Sequence, residues 1–305
     1  MEQRIERSNL TWYNLDTNAQ ATISFLQKNF SFHPLDLEDV EAGPQQPKVD
    51  FYPDYLFGIF HFPAEQNGDS IHVFELDVFM SENYLITVGK GESNALKHIF
   101  QKAKKDKEYQ EEIMGKDGAF LFYKLLDSLT EDCWPKIRRI SSQINDIEEE
   151  IYSEKMQKTT LRKIAFVKRN LIRLKRIIYP QQLAISLLVR TNDHNYLPAA
   201  LNVYYDDVND TLQRLQLITE SHVDVMNSLH NVNESLISQR TNEVIKLLTV
   251  ISVSLLPMTI LTGFYGMNVD GLPFVDHANS VWLIFGAVLL GIAIILAYFR
   301  RRGWL

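Results

Sequence analysis

A single cysteine, Cys133, stands in the whole chain, so no disulfide can form within it, which fits a reducing compartment. The ordinary role of such a residue is that of a small buried hydrophobe. There is no Cys/His cluster at metal-ligand spacing, no glycine-rich phosphate loop and no nucleophile motif. Nothing here supports an enzyme, and no ATP site is visible. The start, Met1-Glu2-Gln3-Arg4, lacks the apolar stretch of a signal peptide. The formal net charge is −7, and no nucleic-acid partner is expected. Two long stretches, residues 247–265 and 281–299, contain no charged residue at all. Between Ala199 and Gly266 there is no proline before Pro257 and no glycine before Gly263. The segment between the two uncharged stretches has no Lys or Arg, only Asp270, Asp276 and His277.

These absences describe a C-terminal membrane hairpin. Each uncharged run is close to the ~20 residues that a helix needs to cross a bilayer core, and the hairpin itself must then target and insert the protein. Arg240 and Lys246 flank the first run, and Arg300, Arg301 and Arg302 follow the second. The positive-inside rule puts both termini in the cytoplasm and the connector outside. The expected location is a cell (inner or plasma) membrane, spanned twice. Trp282 and Tyr298 stand near the ends of the second run, where interfacial anchors belong.

The first run has a polar stripe. Asn242, Ile245, Thr249, Ser252, Leu256, Thr259, Gly263 and Gly266 follow one another in steps of three and four, a 3.5-residue period along one face. Such a face meets either another helix, through its small residues, or an aqueous pore. Pro257 interrupts the run and frees a backbone carbonyl one turn earlier. The second run is apolar on all sides and reads as the outer, lipid-facing helix. One hairpin cannot enclose a pore, so a pore requires a homo-oligomer with cyclic symmetry.

Ahead of the hairpin, residues 1–115 read as an α/β domain. A helix is expected from Thr17, its cap, to Asn29, with Ile23, Leu26 and Phe30 at helical spacing. Residues 51–62 read as a strand and 71–88 as a hairpin turning at Ser81-Glu82-Asn83. Residues 93–112 read as one surface helix of mixed charge. Residues 116–198 read as a helical hairpin, with Asp146, Glu148, Glu149 and Glu150 on its first arm. Arg162, Lys163, Lys168, Arg169, Arg173, Lys175 and Arg176 lie on its second. Exposed pairs between the arms would each contribute only ~0.2–1 kcal/mol, enough for register and little for stability. Residues 199–266 read as one continuous helix, on the order of 100 Å long at helical rise. It takes in the first span (247–265). The connector (267–280), second span (281–299) and basic tail (300–305) complete the chain.

Tyr265-Gly266-Met267-Asn268 lies at the outer end of the first span, with Thr241-Asn242-Glu243-Val244 leading into it. With the closing Arg-Arg-Arg-Gly-Trp-Leu, His33-Pro34-Leu35, Leu37-Glu38-Asp39 and Pro47-Lys48-Val49, this resembles the CorA family of magnesium channels over the whole chain in order. The resemblance implies a funnel-shaped homopentamer in the bilayer that conducts hydrated divalent cations. Gly266, Met267 and Asn268 would be the selectivity filter. Mg²⁺ would be both substrate and regulatory ligand, acting at subunit interfaces. Asp207 in Tyr204-Tyr205-Asp206-Asp207-Val208 matches an acidic residue of the family's long helix; a neighbour's loop 64–70 would supply Glu65 or Asp69. After Gly-Met-Asn the sequence runs Val-Asp-Gly-Leu-Pro-Phe-Val-Asp and departs from the family's glutamate-bearing pattern.

The chemistry of the stripe is compatible with this. Mg²⁺ holds its six waters tightly. A ring of Asn268 carbonyls would accept hydrogen bonds from those waters and select a hydrated ion without binding it too firmly. Thr259, Ser252, Thr249 and Asn242 continue the path. Apolar rings at Leu256, Leu248 and Ile245 could close it by dewetting. Two other readings stay open. One is a Zn²⁺, Co²⁺ or Ni²⁺ transporter of the same architecture, although the stripe lacks the nitrogen and sulfur ligands that Zn²⁺ prefers. The other is a membrane-anchored metal sensor or scaffold.

Overall fold

The computed structural model describes residues 3–15, 19–66, 70–153, 159–190, 194–268 and 278–303. Its backbone divides into two units, Met1–Leu229 and His230–Leu305. The first is built on a six-stranded sheet in the order β1-β2-β6-β5-β4-β3. The strands are β1 (Gln3–Arg7), β2 (Leu10–Leu15), β3 (Lys48–Phe51), β4 (Leu56–Gln66), β5 (Ser70–Met80) and β6 (Tyr84–Lys90). All neighbours are antiparallel except β2 and β6. The β5–β6 hairpin turns at Ser81-Glu82-Asn83, as its turn residues require.

Two expectations need correction. The aromatic stretch 51–62 is two strands. Tyr52-Pro53-Asp54-Tyr55 turns the chain between β3 and β4, closed by a hydrogen bond from Tyr52 N to Tyr55 O of 2.9 Å. Pro53 has no N–H to give to a ladder, so it ends the strand. The surface helix 93–112 is also two, α3 (Asn94–Lys105) and α4 (Lys107–Met114). Asp106 breaks it: its side chain accepts from Glu108 N and Tyr109 N and caps the second helix. The expected cap at Thr17 lies outside the described residues; the helix there is α1 (Ala19–Asn29).

α1 and α2 (Pro34–Glu41) place Leu26, Leu37 and Val40 in an apolar cluster with Phe57, Ile59, Phe79, Ile86 and Val88, which share one face of the sheet. On the other face lie Phe60 and Trp12. Phe60 meets Phe122 of α5 (Gly118–Glu131), and Trp12 meets Phe100 of α3. Gly118 starts α5 in a place that admits no side chain: a Cβ there would lie 2.0 Å from Ser81 O.

α6 (Cys133–Tyr152) and α7 (Thr160–Arg190) pack together and are tied by an ion pair of Glu150 with Lys163. α7 is more than the second arm of a hairpin, because it also lies against β3, β4 and β5. Two buried amides hold it there. Asn170 Oδ1 accepts from Ile71 N at 3.2 Å, and Gln181 Oε1 accepts from His61 N at 2.8 Å. Arg173 donates to Ser70 Oγ and Ile71 O.

α8 (Asn202–Tyr265) is a single helix of 64 residues, about 96 Å long at 1.5 Å per residue. Its root is fixed by Tyr205, fully buried beside Phe122 and Tyr123, whose hydroxyl donates to Ala119 O at 2.7 Å. α9 (Ala278–Arg301) closes the chain. The expected order holds: an α/β part, long helices, then two apolar C-terminal helices. Tyr205→Phe is expected to lower stability by about 0.5–1.5 kcal/mol, because Ala119 O loses the buried donor that ties α8 to α5; chemical unfolding in detergent measures it.

Candidate cation pathway

The two apolar spans, the later part of α8 and α9, belong to the second unit, and each has an open side and a shaded side. On α8 the shaded residues are Val250 and Ser254, which are buried, with Pro257, Met258, Leu261 and Tyr265 half-buried. The stripe expected to face a pore lies on the opposite side. Asn242, Ile245, Leu248, Thr249, Ser252, Leu256, Thr259 and Gly263 are all exposed. α9 is shaded along Ile284, Phe285, Val288, Gly291, Ile292, Ile295 and Phe299, with Trp282 and Tyr298 exposed near its ends.

The hydroxyls of the open face are polarised by their own helix. Thr249 Oγ1 donates to Ile245 O at 2.8 Å, and Thr259 Oγ1 donates to Leu255 O at 3.1 Å. Thr262 does the same toward Met258 O at 2.9 Å. A hydroxyl has one hydrogen and two lone pairs. With the hydrogen committed to the preceding turn, each oxygen offers only acceptor capacity outward. The waters around a divalent cation point their hydrogens outward, so such oxygens suit a hydrated cation and offer nothing to an anion.

At the end of α8 the Gly-Met-Asn segment leaves the helix. Gly266 N donates to Thr262 O at 2.9 Å and Met267 N to Phe264 O at 3.4 Å. A Cβ on Gly266 would stand 2.8 Å from Thr262 O, closer than real side chains approach. Met267 and Asn268 are exposed just beyond. Asp270, Asp276 and His277 of the connector lie outside the described residues.

In the first unit, Asp207 is exposed on the early turns of α8. Its charge reaches Tyr123 and Asp127 of α5. Burial, then the charge of Glu131, and then Asp207 hold the Asp127 carboxyl above its usual range, with Lys124 opposing. Asp127 and Glu131 were not among the acids singled out from the sequence. Some eighty residues separate them from Asp207, and only the packing of α5 beside α8 reveals the grouping. Glu65 pairs with Arg139 of α6 at 2.9 Å, and Asp69 lies outside the described residues. Among the described residues no three His, Cys, Asp or Glu side chains form a ready metal cluster.

An α/β part, a very long helix and two apolar helices of span length, the first with an acceptor-rich stripe, define a class of membrane-embedded cation transporters. Residues 7–301 match the family described as CorA-like Mg²⁺ transporter protein, and the chain belongs to that family. It is 27% identical over 306 residues to the putative metal ion transporter YfjQ of Bacillus subtilis (strain 168), covering 99% of this chain and 92% of that one. It is also 27% identical over 308 residues to the cobalt/magnesium transport protein CorA of Thermotoga maritima, covering 98% and 85%. The complete structure of the CorA magnesium transporter from Methanocaldococcus jannaschii superposes with a TM-score of 0.80 at 19% identity, over 99% of this chain and 93% of that one. The chain is thus a divalent-cation transporter with two C-terminal membrane helices, and not an enzyme.

Gly266→Ala tests the geometry of the helix end. The new methyl must displace the turn that carries Asn268, and cation flux is expected to fall by roughly tenfold, the effect of ~1.4 kcal/mol on a barrier. Helix content by circular dichroism is expected to stay unchanged.

Proposed function

We propose that the protein is a Mg²⁺ channel driven by the membrane potential, with Co²⁺ the next most suitable ion. The observation that carries this reading is the open face of α8. Acceptor oxygens recur along it at one period, from Asn242 to the Asn268 turn, while the opposite face is shaded. Asn268, with Gly266 and Met267, would form the filter. Asn242, Thr249, Ser252, Thr259 and Gly263 would line the path, and Ile245, Leu248 and Leu256 would close it by dewetting. Such a lining holds the ion through its water shell, which Mg²⁺ gives up reluctantly. A divalent ion gains roughly 4.6 kcal/mol per 100 mV, so no further energy source is required.

A single hairpin supplies one sector of the path, so the working form is a ring of copies, a pentamer by family likeness, with both termini in the cytoplasm. Cytoplasmic Mg²⁺ would regulate it at Asp207, whose charge already weighs on Asp127. A cation there would relieve that repulsion. A neighbour's Glu65 or Asp69 would complete the site, and Glu65 would first have to leave Arg139. The cobalt named for the Thermotoga maritima relative keeps Co²⁺ in view.

The test is flux of Mg²⁺, Co²⁺, Ni²⁺ and Zn²⁺ into liposomes under an imposed potential. Potential-driven Mg²⁺ entry that Asn268→Ala abolishes is the expected result. Zn²⁺ flux that follows a proton gradient would replace the reading with a zinc transporter, and no flux from an assembled ring would leave a sensor or scaffold. In the same liposomes Asp207→Ala is expected to weaken inhibition by internal Mg²⁺; unchanged inhibition would remove Asp207 from the regulation.

A further inference from the structure

One carboxylate sits in the middle of an apolar sheet face. Asp77 of β5 is 0% exposed. Its ladder partners are Ile59 on β4 and Val88 on β6, both in the apolar cluster beneath α1 and α2. Two residues away on the same face, Glu75 lies between His61 of β4 and Lys90 of β6.

Glu75 is well supplied with donors. Its Oε1 accepts from Lys90 Nζ at 2.7 Å, and its Oε2 accepts from Gln45 N at 2.8 Å and lies 3.2 Å from His61 Nε2. Lys90 Nζ also donates to Asp39 O, in the last turn of α2, at 2.9 Å. Asp77 has far less: Lys90 Nζ stands 3.0 Å from its Oδ2, and that one ammonium is shared with Glu75 and the Asp39 carbonyl.

A buried carboxylate that must share its ammonium with a second carboxylate is a poor place for a negative charge. The other groups facing it compound this. Glu75 on its own strand and Asp39 from α2 are negative, and among the described residues Lys90 from β6 is the cation in contact. His61 from β4 stands behind Glu75, and Lys48 and Asp50 of β3 stand behind Asp39. α7 presents the neutral Gln181 to this edge. Burial holds the Asp77 carboxyl up to about 7, with Glu75 and Asp39 adding to the rise and Lys90 opposing it. Burial opposes Glu75 as well, yet its bonds with His61 and Lys90 carry it below the usual range. Of the two carboxyls, Asp77 is the one whose surroundings favour keeping its proton.

We propose that Asp77 is a proton-binding site, and that its proton governs how firmly the segment from Asp39 to Lys48 is held on the sheet. Lys90 is the link. While Asp77 is neutral, the ammonium serves Glu75 and the Asp39 carbonyl, clipping down the end of α2. Gln45 N, on the same Glu75, holds the connector that follows. Release of the proton to bulk water leaves a second buried anion beside the same ammonium. Lys90 is then drawn toward Asp77, and the Asp39 carbonyl loses its donor. The Asp39 carboxylate is tied to Lys48 at 2.7 Å, so the far end of the segment feels the change.

The sign follows from linkage. The folded chain keeps a proton that an unfolded Asp with its ordinary value of 3.8 has lost. Stability therefore falls as pH rises from about 4 to about 7 and is level above that.

The test uses the full chain in lipid nanodiscs. Infrared spectra across the pH range should show the carbonyl stretch of one protonated carboxyl, lost with a midpoint near 7 and absent in Asp77→Asn. Hydrogen exchange in the peptide 39–48, corrected for its intrinsic pH dependence, should rise about tenfold between about pH 6 and 8 in the wild type. It should stay flat in Asp77→Asn. Glu75→Gln keeps the proposal decidable if Asp77→Asn does not fold: removing the neighbouring anion should move the midpoint down. A carboxyl band that persists in Asp77→Asn, a midpoint indifferent to Glu75→Gln, or flat exchange in the wild type would each overturn the assignment.

Discussion

A polar side chain in the hydrocarbon of a bilayer has to find a partner, and α8 meets that demand in a way that leaves something over. Thr249, Thr259 and Thr262 give their hydrogens to their own helix, so none is a free donor facing lipid. What remains on the open face is a row of lone pairs, with the amides of Asn242 and Asn268 toward its ends. Lone pairs in hydrocarbon are still costly, and they are satisfied only by water or by another polar chain. The shaded face is mainly apolar, with Val250, Pro257 and Leu261, and its Ser254 hydroxyl is buried rather than open. Everything proposed for the assembly follows from this asymmetry. One hairpin cannot surround water, so copies must.

The first unit solves a different problem, that of holding helices to a sheet with buried polar groups. Asn170 and Gln181 of α7 satisfy backbone N–H groups of β5 and β4. Tyr205 at the root of α8 satisfies the first turn of α5. Lys90 and Glu75 satisfy the end of α2 and the connector beyond it. Each of these bonds is directional, and removing one leaves a buried group without a partner, at about 1–3 kcal/mol. Such ties make the elements move together. Asp77 differs from these ties: it is a fully buried carboxylate served by an ammonium that Glu75 and the Asp39 carbonyl also use.

Much of this was legible in the residues themselves. The two spans, the unbroken α8 and the polar stripe follow from absent charges, prolines and glycines, because a helix and a bilayer each impose a period and a length. The β5–β6 hairpin was written in Ser81-Glu82-Asn83. The break at Pro53 and the cap at Asp106 were also written locally, in residues whose turn and capping chemistry competes with a continuing strand or helix. Other features had no local signal. Asn170 and Gln181 lie on a helix rich in charge and look like surface residues until the sheet is placed against them. Asp127 joins Asp207 only through packing. The Glu75–Asp77–Lys90 cluster looks like an ordinary polar alternation on two strands. Alternation in a strand tells which residues share a face, and it does not tell which face is covered.

The central claim is that the open face of α8 borders water. Single cysteines placed along the helix, probed with a charged, water-soluble thiol reagent in the membrane, test it most directly. The native Cys133 is buried, and burial pushes its thiol up to about 12, so it should stay silent. Reaction at positions 249, 252 and 259, with silence at 250 and 254 and along α9, is the result predicted. Equal reaction on all faces, or none on the stripe of an assembled ring, would contradict the account.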